Sequence, residues 1–365
     1  MQDILEKYAQ LLVDYCVELK PKERLYIKST ILAVPLIKEI YSYALSKGAI
    51  VEYDLDFQGK NARYYTHASK DALKSQPTLY AKAMHEFDAY IMVRAPFNLM
   101  EDQNIGKDNA AIRRAVLKPI HDHYFERTAD RSLKRSLCQF PTAASAQMAR
   151  MSLDDYTRFV YDACYLYEDN PADSWRALGG TQQKYVDHLN SCSTIRYKNK
   201  RTDITFSVAG RSWINSDGKT NMPSGEVFSA PVEDSVEGTI YFNYPSVYSG
   251  HSVEGIELEI KQGKVVKATA EKGQEFLEKI LKIEGANYFG EVAIGTNYQI
   301  QKATGNILFD EKIGGTIHMA LGQSYKQCGG KNNSSIHWDM ITDMKDGGQI
   351  FADDQCIYKD GIFLI

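Results

Sequence analysis

The chain lacks the features that place a protein in or on a membrane. No stretch of its 365 residues approaches the roughly 18 uninterrupted apolar positions that a spanning helix needs. The first segment, MQDILEKYAQLLVDYC, has neither the basic start nor the small-residue cleavage site of a signal peptide. With 43 basic and 47 acidic residues, the net charge of −4 offers no polybasic footprint. We therefore expect neither a membrane nor a nucleic acid as partner.

Cysteine pairs and phosphate-binding loops are also missing. The six cysteines are scattered and none belongs to a CxxC pair, a pattern typical of reduced thiols in a cytoplasmic protein. Neither GxGxxG nor GxxxxGK[ST] occurs, and the strand RLYIKST is followed by ILAVPL, which contains no glycine. A nucleotide-binding α/β protein, one alternative for this chain, therefore has no local support.

The texture of the sequence changes near residue 190, and the chain is long enough for two domains. Residues 24–57 run strand, helix, strand, which predicts parallel pairing and an α/β domain over residues 1–190. Beyond this point the chain is β-rich and punctuated by glycine, asparagine and aspartate, with a hairpin expected to turn at Gln262 and Gly263. We therefore expect a β-rich (α+β) domain over residues 191–365.

The first half contains one tempting pair of metal ligands, the HDH motif. Its surroundings are helical in pattern, and on a helix residues two apart lie about 200° around the axis. His121 and His123 should therefore point in different directions. We interpret this motif as part of a solvated helix.

Six ionisable side chains in the second half interrupt apolar or glycine-rich segments, where a buried charge is costly. The clearest case is SSIHWDM, in which strand alternation puts His337 and Asp339 on one face. Ile336, Trp338 and Met340 share the other face. The remaining four ionisable residues are Glu226, Glu291, Glu311 and His318.

Two imidazoles and four carboxylates are ligand types that hard or borderline divalent cations accept. A dinuclear site would supply four positive charges, which would neutralise the four carboxylates. Each residue also has a simpler explanation. Glu226 and Glu291 could be solvated or paired carboxylates, and His318 could be a satisfied core residue. Glu311, next to Lys312, could be surface charge. From spacing alone these alternatives stay open.

At these residues the sequence resembles the metallo-aminopeptidase family typified by aminopeptidase T and aminopeptidase S. The motifs NMPSGEVFSAPVEDSVEG, GEVAIGTN, LFDEKIGGTIHMALGQSY and GGKNNSSIHWDMI carry the resemblance in this order. The stretch CQFPTAASAQMARMSLDDYTRFV matches in the first half. The resemblance implies an α/β domain with a role in dimerisation and substrate access, and a β-rich catalytic domain holding two divalent metal ions (Zn, Co, Mn or Mg). It also implies a homodimer that removes N-terminal residues from peptides with a free N-terminus.

The resemblance also implies which residues act. Tyr325, seven residues after His318, matches a family tyrosine near the metals and is expected to stabilise the developing oxyanion. Glu226 or Glu291 would serve as general base. The implied metal ligands are Glu226, Glu291, Glu311, His318, His337 and Asp339. The acids considered for the substrate's α-amine are Glu233, Asp234 and Glu237, with a solvated loop as the alternative.

Two departures from the family pattern bear on this assignment. His318 lies seven positions after Glu311, where some members have a shorter gap, and the segment between Tyr325 and His337 is short. A non-catalytic module of the same fold would be expected to lose one or more of the six ligands. All six are present in this chain.

Overall fold

The computed structural model describes residues 2–103 and 105–365. A π-helical turn over Leu11–Cys16 extends the first helix, and short 3₁₀ turns lie at Ile31–Ala33 and Lys326–Cys328. The helices are α1 (Gln2–Gln10), α2 (Val34–Ser46), α3 (Lys60–His67), α4 (Lys70–Lys74), α5 (Thr78–Glu86), α6 (Lys107–Ala129), α7 (Ala143–Met148), α8 (Leu153–Ala163), α9 (Pro171–Asn190), α10 (Gln274–Ile280) and α11 (Ile307–Asp310). The strands are β1 (Arg24–Thr30), β2 (Ile50–Asp56), β3 (Ala89–Arg94), β4 (Lys134–Gln139), β5 (Thr194–Lys198), β6 (Asp203–Ser207), β7 (Ile214–Ser216), β8 (Asn221–Met222), β9 (Glu226–Ser229), β10 (Glu237–Phe242), β11 (Ser246–Tyr248), β12 (His251–Val253), β13 (Ile256–Lys261), β14 (Lys264–Thr269), β15 (Phe289–Gly295), β16 (Thr316–Gly322), β17 (His337–Asp343), β18 (Gln349–Ala352), β19 (Gln355–Lys359) and β20 (Ile362–Phe363).

The chain divides into two compact units. The first consists of Met1–Asp173 with Gly218–Pro223, and the second of Ser174–Asp217 with Ser224–Ile365. The main division, between Asp173 and Ser174, falls near the start of α9. The sequence predicted a boundary at residue 190, which is the end of this helix. No helix in the described ranges is long and apolar enough to cross a membrane, and the six cysteines are free thiols.

The first unit is built on a parallel sheet with strand order β2-β1-β3-β4-β8. Strands β1 and β2 pair in parallel from Arg24 opposite Ile50, with α2 as the connection, so the predicted β-α-β unit is confirmed. Leu25, Ile27 and Ile91 of the central strands are fully buried. Central strands of a parallel sheet are typically apolar because helices cover both faces.

The second unit contains two antiparallel sheets and a two-stranded ribbon, β11-β12. One sheet has eight strands in the order β14-β13-β10-β6-β5-β18-β19-β20, and the predicted hairpin is its β13–β14 corner. The other has five strands in the order β17-β16-β15-β9-β7. Both sheets contribute side chains to one buried apolar cluster, for example Phe206 and Tyr197 from the first and Trp338 and Met340 from the second. The chain thus combines helices with parallel and antiparallel sheets.

Candidate metal centre

Strand β17 places an imidazole and a carboxylate side by side. Trp338 and Met340 lie in the apolar core, so strand alternation turns His337 and Asp339 to the opposite face. His337 Nε2 lies 3.4 Å from Asp339 Oδ1. The apolar face therefore anchors the strand, and its other face presents the two polar groups together.

Strand β16 adds a second imidazole to this face. His318 lies opposite Ile341 of β17 and is fully buried, whereas its neighbours Ile317 and Met319 belong to the apolar core. His318 Nε2 lies 3.3 Å from Glu226 Oε2 and 3.5 Å from an oxygen of the glutamate on β15. Neither ring nitrogen makes a hydrogen bond within the described chain, so hydrogen bonding does not account for the burial of this histidine.

A β-bulge turns Glu291 toward the same face. Phe289 and Glu291 oppose successive residues of β16, so Gly290 is an extra residue in β15. Simple alternation would place Glu291 on the face of Phe289, which lies in the apolar core. Only glycine fits at the bulge, because a Cβ on Gly290 would lie 2.4 Å from the carbonyl oxygen of Gly322.

The last two carboxylates come from different local structures. Glu226 opens β9 opposite Gly295, and its carbonyl oxygen accepts a hydrogen bond from Gln182 Nε2 at 3.3 Å. Glu311 directly follows the short helix α11 and lies outside the sheet. Its side chain is only 16% exposed, so the alternative that it is surface charge is wrong.

All six side chains singled out from the sequence converge in space. They form three overlapping groups, and within each group one donor atom per residue lies within 4.8 Å of the others. Since Glu291, His318 and Asp339 each belong to two groups, the groups are neighbours. The groups are Glu226–Glu291–His318, Glu291–His337–Asp339 and Glu311–His318–Asp339.

The donor atoms fit a divalent cation. Glu226 Oε2, Asp339 Oδ1 and both ring nitrogens of His318 are buried without a hydrogen-bond partner in the described chain, although buried polar atoms are normally paired. His337 Nδ1 lies 2.7 Å from the carbonyl oxygen of Gln323, to which it can only donate. The ring is thereby oriented so that Nε2 faces Glu291 Oε2 at 3.0 Å, and the protonated imidazole donates to this carboxylate. With that proton lost, Nε2 would be free to bind a cation, in the manner of a metal-ligating histidine held by its other nitrogen.

The ionisable groups perturb one another strongly. Burial, together with repulsion from Glu226 and Asp339, raises the pKa of Glu311 to about 8. Burial opposes charge on His318, but contacts with Glu291 and Glu226 raise its pKa to about 9. Burial likewise opposes ionisation of Asp339, yet His337 lowers its pKa to about 2. Mutual shifts of this kind in a buried cluster are typical of functional sites.

Sequence reasoning missed Lys312 as part of this site. Its side chain is 0% exposed, and its ammonium lies 3.3 Å from Glu226 Oε1 and also contacts Glu311 Oε1. Burial disfavours the charged lysine, but these two carboxylates raise its pKa overall. The one available signal was a lysine between a carboxylate and the glycine-rich, apolar run IGGTIHMALG.

Tyr325 stands at the edge of the cluster. Its ring centroid lies 5.1 Å from that of His337 and 5.5 Å from that of Phe228. The tyrosine is 41% exposed, whereas the side chains of the six proposed ligands are at most 25% exposed, so Tyr325 is more accessible than they are. Burial of the phenol oxygen and the nearby carboxylates, Glu291 first among them, raise the pKa of Tyr325.

An ion pair holds the loop that follows Tyr325. Glu233 Oε2 lies 2.6 Å from Arg211 Nη2, and Glu233 Oε1 accepts a hydrogen bond of 2.6 Å from the backbone nitrogen of Lys331. Arg211 also donates to the carbonyl oxygen of Gly329. Both oxygens of Glu233 therefore have structural partners. Of the other acids considered for the α-amine, Glu237 accepts from the backbone nitrogen of Gln262 and Asp234 is exposed.

Known proteins resemble this chain over most of its length. The model of the thermophilic metalloprotease (M29) family matches residues 1–363. Aminopeptidase 2 from Geobacillus stearothermophilus is 28% identical over 349 residues, covering 88% of this chain and 84% of the relative. Aminopeptidase AmpS from Bacillus subtilis (strain 168) is 26% identical over 387 residues, covering 94% and 93%. Wild-type AmpT from Thermus thermophilus shares the fold, with a TM-score of 0.84, 23% identity and 99% coverage of both chains.

Proposed function

We propose, from the premise that this chain belongs to the thermophilic metalloprotease (M29) family, that it removes N-terminal residues from peptides with the help of two divalent metal ions. The chain is a hydrolase of the metallo-aminopeptidase type, like its curated relatives. The observation that carries the proposed site is the convergence of two imidazoles and four carboxylates, with four buried ligand atoms that make no hydrogen bond in the described chain.

Two ions, rather than one, are supported by the way the donors are shared. Three overlapping groups with Glu291, His318 and Asp339 in common suit neighbouring ions that share ligands. The proposed ligands are Glu226, Glu291, Glu311, His318, His337 and Asp339. A mixed set of nitrogen and carboxylate donors does not select strongly among Zn²⁺, Co²⁺, Mn²⁺ and Mg²⁺, so we expect activity with more than one of them.

The chain's own residues would act around this centre. When bound, the ions supply an activated water and polarise the carbonyl of the first peptide bond. Tyr325 donates a hydrogen bond to the developing oxyanion, and its raised pKa keeps the phenol protonated at neutral pH. Glu226 or Glu291, which both lie beside His318, takes the proton of the water and passes it to the leaving amine.

Two broader proposals follow from the family resemblance. The chain forms a homodimer, with the first unit serving dimerisation and substrate access. It works in the cytoplasm, in agreement with six free cysteines. Light scattering after size-exclusion chromatography tests the first of these, and a mass of one chain at working concentration would refute it.

Metal analysis paired with an activity screen tests the proposed function. Purified protein should carry close to two divalent ions per chain at saturation, and a chelator should abolish release of N-terminal residues. Added Zn²⁺, Co²⁺, Mn²⁺ or Mg²⁺ should restore it to differing extents. Full activity after complete removal of metal would overturn the proposal.

Substrates that differ only at the N-terminus test the exopeptidase part. A free α-amine offers an ammonium that can be held at a fixed distance from the centre, whereas an acetylated N-terminus loses that charge and adds bulk. Acetylated peptides should therefore resist cleavage while the free peptides release single residues. Efficient cleavage at internal bonds would instead identify an endopeptidase.

A further inference from the structure

Lys312 is a buried cation among the proposed metal ligands. Its side chain is fully buried, and its ammonium contacts one oxygen of Glu226 and one of Glu311. Lysines are almost never fully buried unless they are paired, because taking an ammonium out of water costs several kcal/mol. The ion pairs with two carboxylates therefore explain how a charged lysine can be buried at this position.

The lysine changes the charge balance of the cluster. The four carboxylates carry a formal charge of −4, and Lys312 reduces the total to −3 before either imidazole is counted. Two divalent ions would then overcompensate the site by one charge. Lys312 therefore competes with incoming ions for Glu226 and for Glu311, which belong to different groups of potential ligands.

We propose that Lys312 is a built-in counter-cation of the metal centre. It holds Glu226 and Glu311 together before metal arrives, and it weakens the binding of an ion to either of these carboxylates. The repulsion is strong because a fixed unit charge a few ångströms from a divalent ion acts through a poorly screening interior. This inference rests on the metal-dependent function proposed above.

The two effects of Lys312 have opposite signs, which separates them from a purely structural role. A lysine that only fills space would stabilise the metal-free and the metal-loaded protein alike. A counter-cation stabilises the metal-free protein, in which the carboxylates repel each other, and opposes metal binding. Removing its charge should therefore lower metal-free stability and raise metal affinity together.

The substitution Lys312→Met tests this directly, since it keeps an unbranched side chain of nearly the same length and removes the charge. The full chain is stripped with a chelator and titrated with Zn²⁺ or Mn²⁺ in a calorimeter. At least one ion should bind about 10-fold more tightly than in the wild type, or better. The rise in melting temperature on metal addition should also be larger, because tighter binding to the folded state stabilises it more.

Two further variants keep the test decisive. Lys279→Met, at an exposed position on α10, removes a lysine charge away from the cluster and should leave metal affinity unchanged. The double variant Lys312→Met/Glu311→Gln removes one charge of each sign, so its metal-free melting temperature should recover toward the wild-type value. A double variant that melts no higher than Lys312→Met would overturn the counter-cation role.

The failure of this inference differs from failure of the proposed function. If Lys312→Met binds metal as tightly as the wild type, or less tightly, Lys312 is not a counter-cation, whereas the metal centre stands. If the wild type binds no divalent ion, the metal-dependent function itself fails.

Discussion

Each unit contains two ionisable side chains that are two residues apart in sequence, but these side chains diverge in the first unit and converge in the second. On α6, His121 meets the ring of Tyr80 edge-on, whereas His123 stacks on His85 with centroids 4.0 Å apart. On β17, His337 and Asp339 lie 3.4 Å apart on one face. The same spacing separates side chains on a helix and aligns them on a strand. A short motif therefore predicts a site only once the local backbone is known.

The two units also differ in how they accommodate charge. In the first, Lys28 lies 2.9 Å from Asp54, and these side chains are 23% and 39% exposed. In the second, the side chains of the clustered carboxylates are at most 16% exposed, and two of their atoms, Glu226 Oε2 and Asp339 Oδ1, make no hydrogen bond in the described chain. Charges that are paired at the surface stabilise weakly. Buried charges without full pairing are costly, so their retention indicates chemistry.

The largest effect on activity should come from a substitution in the His337–Asp339 pair on β17, whereas a substitution in the His121–His123 pair on α6 should have little effect. Asp339→Ala removes a donor shared by two of the three groups, so kcat/KM should fall by at least about 10³-fold. Circular dichroism should show that the fold is retained. His121→Ala should stay within about twofold of the wild type, because His121 is exposed on its helix. An inactive His121 variant would instead indicate that the active site lies in the first unit, contrary to the proposed site.

Tyr325→Phe sharpens the comparison within the second unit, because it leaves all six proposed ligands in place. Loss of one donor to the oxyanion should lower kcat by about 10²-fold with little change in KM. Metal content, measured in parallel, should remain that of the wild type. Unchanged turnover would remove Tyr325 from the mechanism without affecting the metal centre.

The buried cluster should also make the stability of the metal-free protein decrease as the pH rises. The folded pKa values of about 9 for His318 and about 8 for Glu311 lie above their ordinary values of 6.5 and 4.5. A raised folded pKa contributes stability that is present below the unfolded pKa and lost as pH rises through the folded value. The melting temperature of chelated protein should therefore fall most steeply between about pH 6.5 and 8.

Metal-loaded protein provides the contrast for that pH series. Divalent ions bind deprotonated ligands, so metal binding strengthens as pH rises through the same interval. The gap between loaded and chelated melting temperatures should widen from about pH 6.5 to 8. A gap that narrows over this interval would contradict the assigned pKa directions.

The smallest effect belongs to the surface pair of the first unit. Burial opposes ionisation of Asp54, but Lys28 lowers its pKa overall. Because both side chains are partly exposed, Lys28→Met should cost no more than about 1 kcal/mol of unfolding free energy, and less at high salt. Denaturant titration measures this cost, and kcat should be unchanged. A fall in the activity of Lys28→Met as large as that of Asp339→Ala would contradict the difference between the two units.

Much of the local architecture could be predicted from the sequence. The strands around Tyr26 and Tyr53, the hairpin at Gln262 and the alternation around Trp338 follow from periodicities that depend only on neighbouring residues. The choice of the six donors came from polar interruptions of apolar segments and from resemblance to a family. No periodicity relates residue 226 to residue 339, so their convergence depends on how β9, β15, β16 and β17 pair.

The sequence by itself determined which side chains of each strand can share a face, because backbone alternation is local. Only the tertiary structure decided that Glu291 joins the donors, since the bulge at Gly290 depends on a close approach to the carbonyl oxygen of Gly322. The tertiary structure also decided the surroundings of Lys312. No pattern in the sequence assigned Lys312 to the site, whereas the folded chain encloses it with Glu226, 86 residues away in sequence. Burial and long-range charge contacts arise from packing between distant segments, which no local pattern encodes.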